Sequence, residues 1–159
     1  VTVYLWRIAA EAAEYTAHDM TGKGAEITGG RWNQKGTPMI YAAPSLALAA
    51  LEVVVHLPRA PLPLNRYMIR ISIPDDVWNA RQTVDCNTAP AGWDAEPAGL
   101  TARQFGEAWI KRGDSCLHAV PSVVIPREQN ILINPVHGEA RRLSAENLGK
   151  FTFDARIRP

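Results

Sequence analysis

The sequence predicts an α+β fold: a single domain, residues 1–159, built on a partly antiparallel mixed sheet with flanking helices. Three observations predict it. The chain has 159 residues, 47% hydrophobic and 21% charged, the size and balance of one domain with its own core. Leu64–Ile73 alternates, Tyr67, Ile69, Ile71 and Ile73 on one side and Met68, Arg70 and Ser72 on the other, which is the period of a half-buried strand. The other strand-like segments are separated by scattered helical ones, without the regular alternation that a parallel doubly wound sheet requires.

Taken in order, Val1–Ile8 is rich in β-branched and aromatic residues and reads as a strand. Glu11–Gly30 carries Gly22, Gly24, Gly29 and Gly30 and reads as a short helix followed by a loop. Pro38–Ala43 is a short apolar strand. Ser45–Leu57 has good helix formers and no internal Gly or Pro, so it reads as a helix with Leu48, Leu51 and Val55 on one stripe, buried on most sides. Pro74 closes the Leu64–Ile73 strand. Asp75–Leu100, with Pro90, Gly92, Pro97 and Gly99, reads as a long irregular loop of the kind that serves as a lid or binding segment. Thr101–Arg112 is a helix, with Thr101 and Gln104 spaced as a capping box, Phe105, Ala108, Trp109 and Arg112 on one face, and Gly113 as its C-terminal cap. Leu117–Ile125, broken at Pro121, then Asn130–Asn134 and Phe151–Ile157 complete the predicted strands.

Charge and motifs narrow the function. Seventeen Lys+Arg against sixteen Asp+Glu give a net charge of +1, without the basic excess of a protein that lives on the nucleic-acid backbone. No run approaches the roughly 20 apolar residues of a membrane span, and the first residues lack the basic start of a signal peptide, so a cytoplasmic protein with reduced thiols is expected. One disulfide between Cys86 and Cys116 stays open. Gly22-Lys23-Gly24 does not extend into GxGxxG, and no GxxxxGK[ST] occurs. His18, His56, His118 and His137 lack metal-ligand spacing and read as surface or core histidines.

Three clusters carry chemistry. Glu52 is the one ionisable residue between Ser45 and Val55, so it must face a partner or a cavity. It is either a structural ion pair with an arginine such as Arg31 or Arg70, or a functional carboxylate. Gly29-Gly30-Arg31-Trp32-Asn33 combines backbone freedom, a cation, a ring and an amide, which suits an anionic or aromatic ligand. Ser122 precedes an apolar run bounded by Pro121 and Pro126 without a GxSxG elbow, so it reads as a hydrogen-bonding hydroxyl rather than a nucleophile. Asn130 and Asn134 bracket Ile131-Leu132-Ile133.

In this order, Leu5-Trp6-Arg7, Gly29-Gly30-Arg31-Trp32-Asn33, Ile40-Tyr41, Ala49-Ala50-Leu51-Glu52, Pro121-Ser122 and Asn130–Pro135 resemble the RES domain family, over about Val3 to Phe153. The resemblance implies a fold like that of ADP-ribosyltransferase toxins and a bacterial toxin neutralised by an Xre-type antitoxin. DNA would be contacted only through that antitoxin, and a homodimer would sit within the larger complex. It implies NAD⁺ as substrate, consumed by hydrolysis, by phosphorolysis with inorganic phosphate as co-substrate, or by ADP-ribose transfer to a protein. No metal or further cofactor is required. It makes Glu52, Arg31 and Ser122 the catalytic set, with Arg7 and Tyr41 as co-ligands of NAD⁺; Arg31, Ser122, Trp32 and Asn130 are expected to join them in holding the NAD⁺. A silent nucleotide-binding module on the same fold and a ribonuclease toxin are the competing readings.

Overall fold

The computed structural model describes residues 2–57 and 61–157; Val1, assigned above to the first strand, lies outside them. Two sheets replace the single one expected. The first has the order β1-β3-β7 and is antiparallel throughout, from β1 (Thr2–Ala10), β3 (Arg66–Pro74) and β7 (Ser144–Lys150). The second runs β2-β6-β5-β4, from β2 (Ile40–Ala42), β4 (Gln82–Thr83), β5 (Leu117–Pro121) and β6 (Gln129–Ile133), with only β4 and β5 parallel. Reciprocal backbone bonds of 2.8 Å between Trp6 and Ala43 tie the sheets together. The alternation on β3 does what it predicts: Ile69, Ile71 and Ile73 are fully buried, in one core with Leu5, Ile40, Leu117, Ile131 and Ile133.

The helices are α1 (Lys23–Thr28), α2 (Leu46–His56), α3 (Asp75–Asn79) and α4 (Leu100–Arg112). Ser45 caps α2, its hydroxyl accepting from the Leu48 N–H at 3.1 Å. Helix α2 is more one-sided than its composition implies. Leu48, Ala49 and Val54 are buried, whereas Leu51 and Val55 are exposed. An almost wholly apolar helix has no polar face to orient it, and contact with β1 decides which side is covered.

Helix α4 begins one residue earlier than predicted, and Gly99 caps it without a side-chain bond, so the Thr101–Gln104 box does not form. Its inner stripe is Ala102, Phe105, Gly106 and Trp109, with Ala108 exposed. Gly106 sets that rotation: a Cβ there would overlap the Trp32 carbonyl, so the helix lies directly on that backbone. Gly113 takes the left-handed conformation, φ 66°, and closes the helix on the Trp109 carbonyl.

Two expectations fail at the edges. The predicted loop from Asp75 holds α3, with Asp75 and Asp76 in its first turn, and the short strand β4. Phe151–Ile157 is no strand: the backbone leaves the sheet after Phe151 N–H bonds the Arg66 carbonyl, and Phe151 and Phe153 meet edge to face, Phe153 buried against α2 and β1. Their alternation reports that packing. The last strand is instead β7, whose polar, exposed sequence shows no period. Cys86 is exposed and Cys116 buried, both as free thiols, and burial pushes the Cys116 thiol up to about 11.

Candidate functional site

A cavity of about 470 Å³ opens where the two sheets, α2 and the Gly29–Trp32 turn meet. Helix α2 presents Ala49, Glu52, Val53 and His56 to it, the i, i+3, i+4 and i+7 positions of one face, and its C-cap Leu57 follows. The last half of β1 supplies Arg7, β2 supplies Tyr41, and β5, β6 and the turn between them supply Pro121, Val123 and Asn130.

Glu52 is held from one side. Its Oε1 accepts from the Ser122 hydroxyl at 2.6 Å and from Asn130 Nδ2 at 2.7 Å. Ser122 is fully buried, and its Oγ also accepts from the N–H groups of Val124 (3.1 Å) and Ile125 (3.0 Å). With both lone-pair directions taken by N–H donors, the hydroxyl proton has one destination, the carboxylate. Oε2 has no hydrogen-bond partner among the described residues. The structural ion pair weighed from sequence is not made: Arg31 pairs with Glu96 and Arg70 with Glu146. Three residues distant in sequence thus form a carboxylate fixed by neutral donors, with one oxygen turned to the cavity.

The two arginines at the cavity differ. Arg7 is half-buried, and its guanidinium has no hydrogen bond or ion pair among the described residues; burial pulls it below the ordinary pKa, opposed by the charges of Asp19 and Tyr15. Arg31 is occupied. Its Nη1 donates to the carbonyls of Trp93 (3.0 Å) and Ala95 (2.8 Å), and its Nη2 to Glu96 Oε2 (2.7 Å). It therefore clamps the predicted long loop while lining the cavity, with an N–H on Nε and one on Nη2 left over.

Trp32 does not offer a free ring. It is 3% exposed, stacked on Trp93 at 6.3 Å and edge-on to Phe105 at 5.6 Å, so its mass belongs to the core under α4. Tyr41 is spent on shaping the turn: its hydroxyl accepts from Trp32 N–H at 3.0 Å and donates to Asn33 Oδ1 at 2.6 Å. Burial pushes the phenol well above its ordinary pKa, although the bonds to Trp32 and Asn33 and the nearby Arg31 and Arg103 pull the other way. Asn33, fully buried, anchors the turn through the Ala25 and Thr37 carbonyls at 2.8 and 2.9 Å. Gly30 is required here, since a Cβ would stand 2.6 Å from the Tyr41 oxygen. Asn134 lies away from the cavity and turns its side chain to the Val136 N–H at 3.1 Å.

His56 and Glu96 are not among the site residues that the sequence singles out. His56 is visible in hindsight as the i+4 neighbour of Glu52 on α2; Glu96 sits in a segment with no periodicity to place it. Among the described residues no group of His, Cys, Asp and Glu is arranged to hold a metal ion, and no helix is long and apolar enough to cross a membrane.

The site is thus a carboxylate fixed by a serine and an asparagine beside an arginine-lined cleft. The family model for the RES domain matches residues 4–154, and the chain belongs to that family. It is 46% identical over 157 residues to the Prs ADP-ribosylating toxin of Sphingobium sp. (strain YBL2), covering 99% of this chain and 98% of that protein. It is 37% identical over 145 residues to Toxin Res of Yersinia enterocolitica, covering 91% and 93%. It is 37% identical over 155 residues to Toxin Res of Pseudomonas putida, covering 96% and 98%.

Proposed function

We propose that this chain is a toxin that cleaves the nicotinamide–ribose bond of NAD⁺, and that an Xre-type antitoxin neutralises it, as the family resemblance implies. One observation carries the reading: Glu52 sits on the cavity wall with Oε1 locked by Ser122 and Asn130 and Oε2 open. Cleavage of an N-glycosidic bond builds positive charge on the ribose, as glycoside hydrolysis does. A carboxylate held in advance stabilises that charge without reorganising, and Oε2 accepts a ribose hydroxyl. The unpaired Arg7 guanidinium, with the two remaining N–H groups of Arg31, holds the pyrophosphate. Ser122 and Asn130 act by fixing Glu52, and Tyr41 and Trp32 by fixing the turn that carries Arg31.

The acceptor of ADP-ribose distinguishes hydrolysis, phosphorolysis and transfer. Transfer to a protein side chain is favoured by one finding, the near full-length match to a relative named as ADP-ribosylating. The test is incubation of the purified chain with NAD⁺, with and without phosphate and with a bacterial lysate. Nicotinamide and ADP-ribose products are followed by mass spectrometry, and RNA is offered in parallel. Release of nicotinamide supports the reading; intact NAD⁺ with cleaved RNA would replace it by the ribonuclease alternative, and intact NAD⁺ that still binds, with intact RNA, by the silent module.

A further inference from the structure

The reaction leaves one proton without a destination. Resting on the reading above, Oε2 of Glu52 is taken by the ribose, and Oε1 already accepts two bonds. An acceptor hydroxyl or amine that attacks the ribose must still lose its proton. The other charged or titratable groups facing the cavity are Arg7 on β1, Tyr15 and Asp19 in the segment after it, Arg31 in the turn, Tyr41 on β2 and Arg66 on β3. The arginines stay protonated. Tyr41 is held above its ordinary pKa and donates to Asn33. Asp19 is engaged by the Thr21 N–H and hydroxyl and the Lys23 N–H.

Apart from the Tyr15 phenol, His56 is the remaining group. It lies one helical turn beyond Glu52 on the cavity-facing stripe of α2, a spacing of about 5–6 Å between Cβ atoms. It is exposed, and its imidazole has no hydrogen bond or ion pair among the described residues. Imidazole is the side chain that exchanges a proton near neutrality.

We propose that His56 is the general base of the acceptor step. The C1′–nicotinamide bond breaks with its electron pair leaving on nicotinamide, the acceptor lone pair forms the new bond to C1′, and the acceptor proton passes to an imidazole nitrogen and then to solvent.

The experiment uses the partition of one reaction between two acceptors. Wild type, His56→Ala and His56→Gln are given NAD⁺ in the presence of azide, an anion with no proton to lose, and ADP-ribose and ADP-ribosyl azide are quantified. Both variants should raise the azide-to-water product ratio by about a hundredfold or more, the usual scale for losing a general base. Wild type should approach the variants' ratio as pH is lowered, while the variants stay flat. An unchanged ratio, or a ratio in wild type independent of pH, overturns the assignment and leaves NAD⁺ cleavage standing. Failure of wild type to release nicotinamide at all overturns the cleavage reading and this inference with it.

Discussion

Glu52→Gln separates chemistry from architecture. The glutamine carbonyl can occupy the Oε1 position and still accept from Ser122 and Asn130, and its NH₂ then takes the position of Oε2 facing the cavity. Two bonds to a charged acceptor become two to a neutral one, a loss of roughly 1–1.5 kcal/mol each. Against this, a carboxylate with no cation partner no longer has to be held out of water, a relief of comparable size. The net change is within about 1 kcal/mol, a Tm shift of no more than ~4 °C for a chain of this size. Turnover should behave differently, because the charge that meets the ribose cation is gone: kcat for nicotinamide release falls about a hundredfold to a thousandfold, ~2.7–4 kcal/mol. NAD⁺ affinity stays near wild type, since the ground-state ribose carries no charge. Calorimetry for Tm, titration calorimetry for binding and mass-spectrometric product counting on one preparation give all three numbers. A variant that keeps kcat within a few-fold, or loses activity only in proportion to unfolding, would refute the electrostatic role.

Further outcomes follow from the same geometry. Arg7→Ala should raise KM for NAD⁺ about ten- to a hundredfold, ~1.5–3 kcal/mol, at unchanged Tm; Arg31→Ala should in addition lower Tm and speed protease cleavage of the segment around Trp93–Glu96, because it releases three contacts there. An Arg7→Ala variant with wild-type KM would remove it from phosphate binding. Gly106→Ala should cost at least about 2 kcal/mol in urea unfolding, since its Cβ meets backbone rather than a movable side chain, and an unshifted midpoint would contradict the close approach. His118, buried beneath Phe105 and Trp109, has its pKa lowered chiefly by burial. The unfolded chain then binds a proton that the folded chain refuses, so stability falls as pH drops below about 6.5, and His118→Gln should flatten that slope in pH-dependent unfolding.

Where one face of an element is buried and the other is not, the sequence states it, as the isoleucines of β3 show. Helix α2 has apolar residues all round and so announces its existence but not its orientation; the same uniformity made Glu52 conspicuous. That Glu52 meets Ser122 and Asn130 follows from tertiary contacts across 70 and 78 residues of chain, which no local pattern encodes. The family resemblance groups Glu52 with Ser122 and Arg31; the hydrogen bonds join Glu52 to Ser122 and add Asn130, while Arg31 is held by other partners. Strand β7 was invisible because an exposed edge strand needs no alternation, and the Phe151–Phe153 alternation misled because two aromatic residues packing on a core mimic the same period. The roles of Arg31 diverge from expectation because sequence shows a cation but not which acceptors reach it first.

The clamp on Arg31 has a consequence for how this loop can change over generations. Two of its three grips are main-chain oxygens, which any amino acid supplies. Side chains at positions 93–96 can therefore drift with little effect on where the guanidinium points, apart from the stacking of Trp93 and the exposed carboxylate of Glu96. Spacing is another matter: a one-residue insertion or deletion would move both oxygens out of register at once. The segment is permissive to spelling and strict about length, so relatives that keep the arginine clamp should differ here by substitution far more often than by gaps.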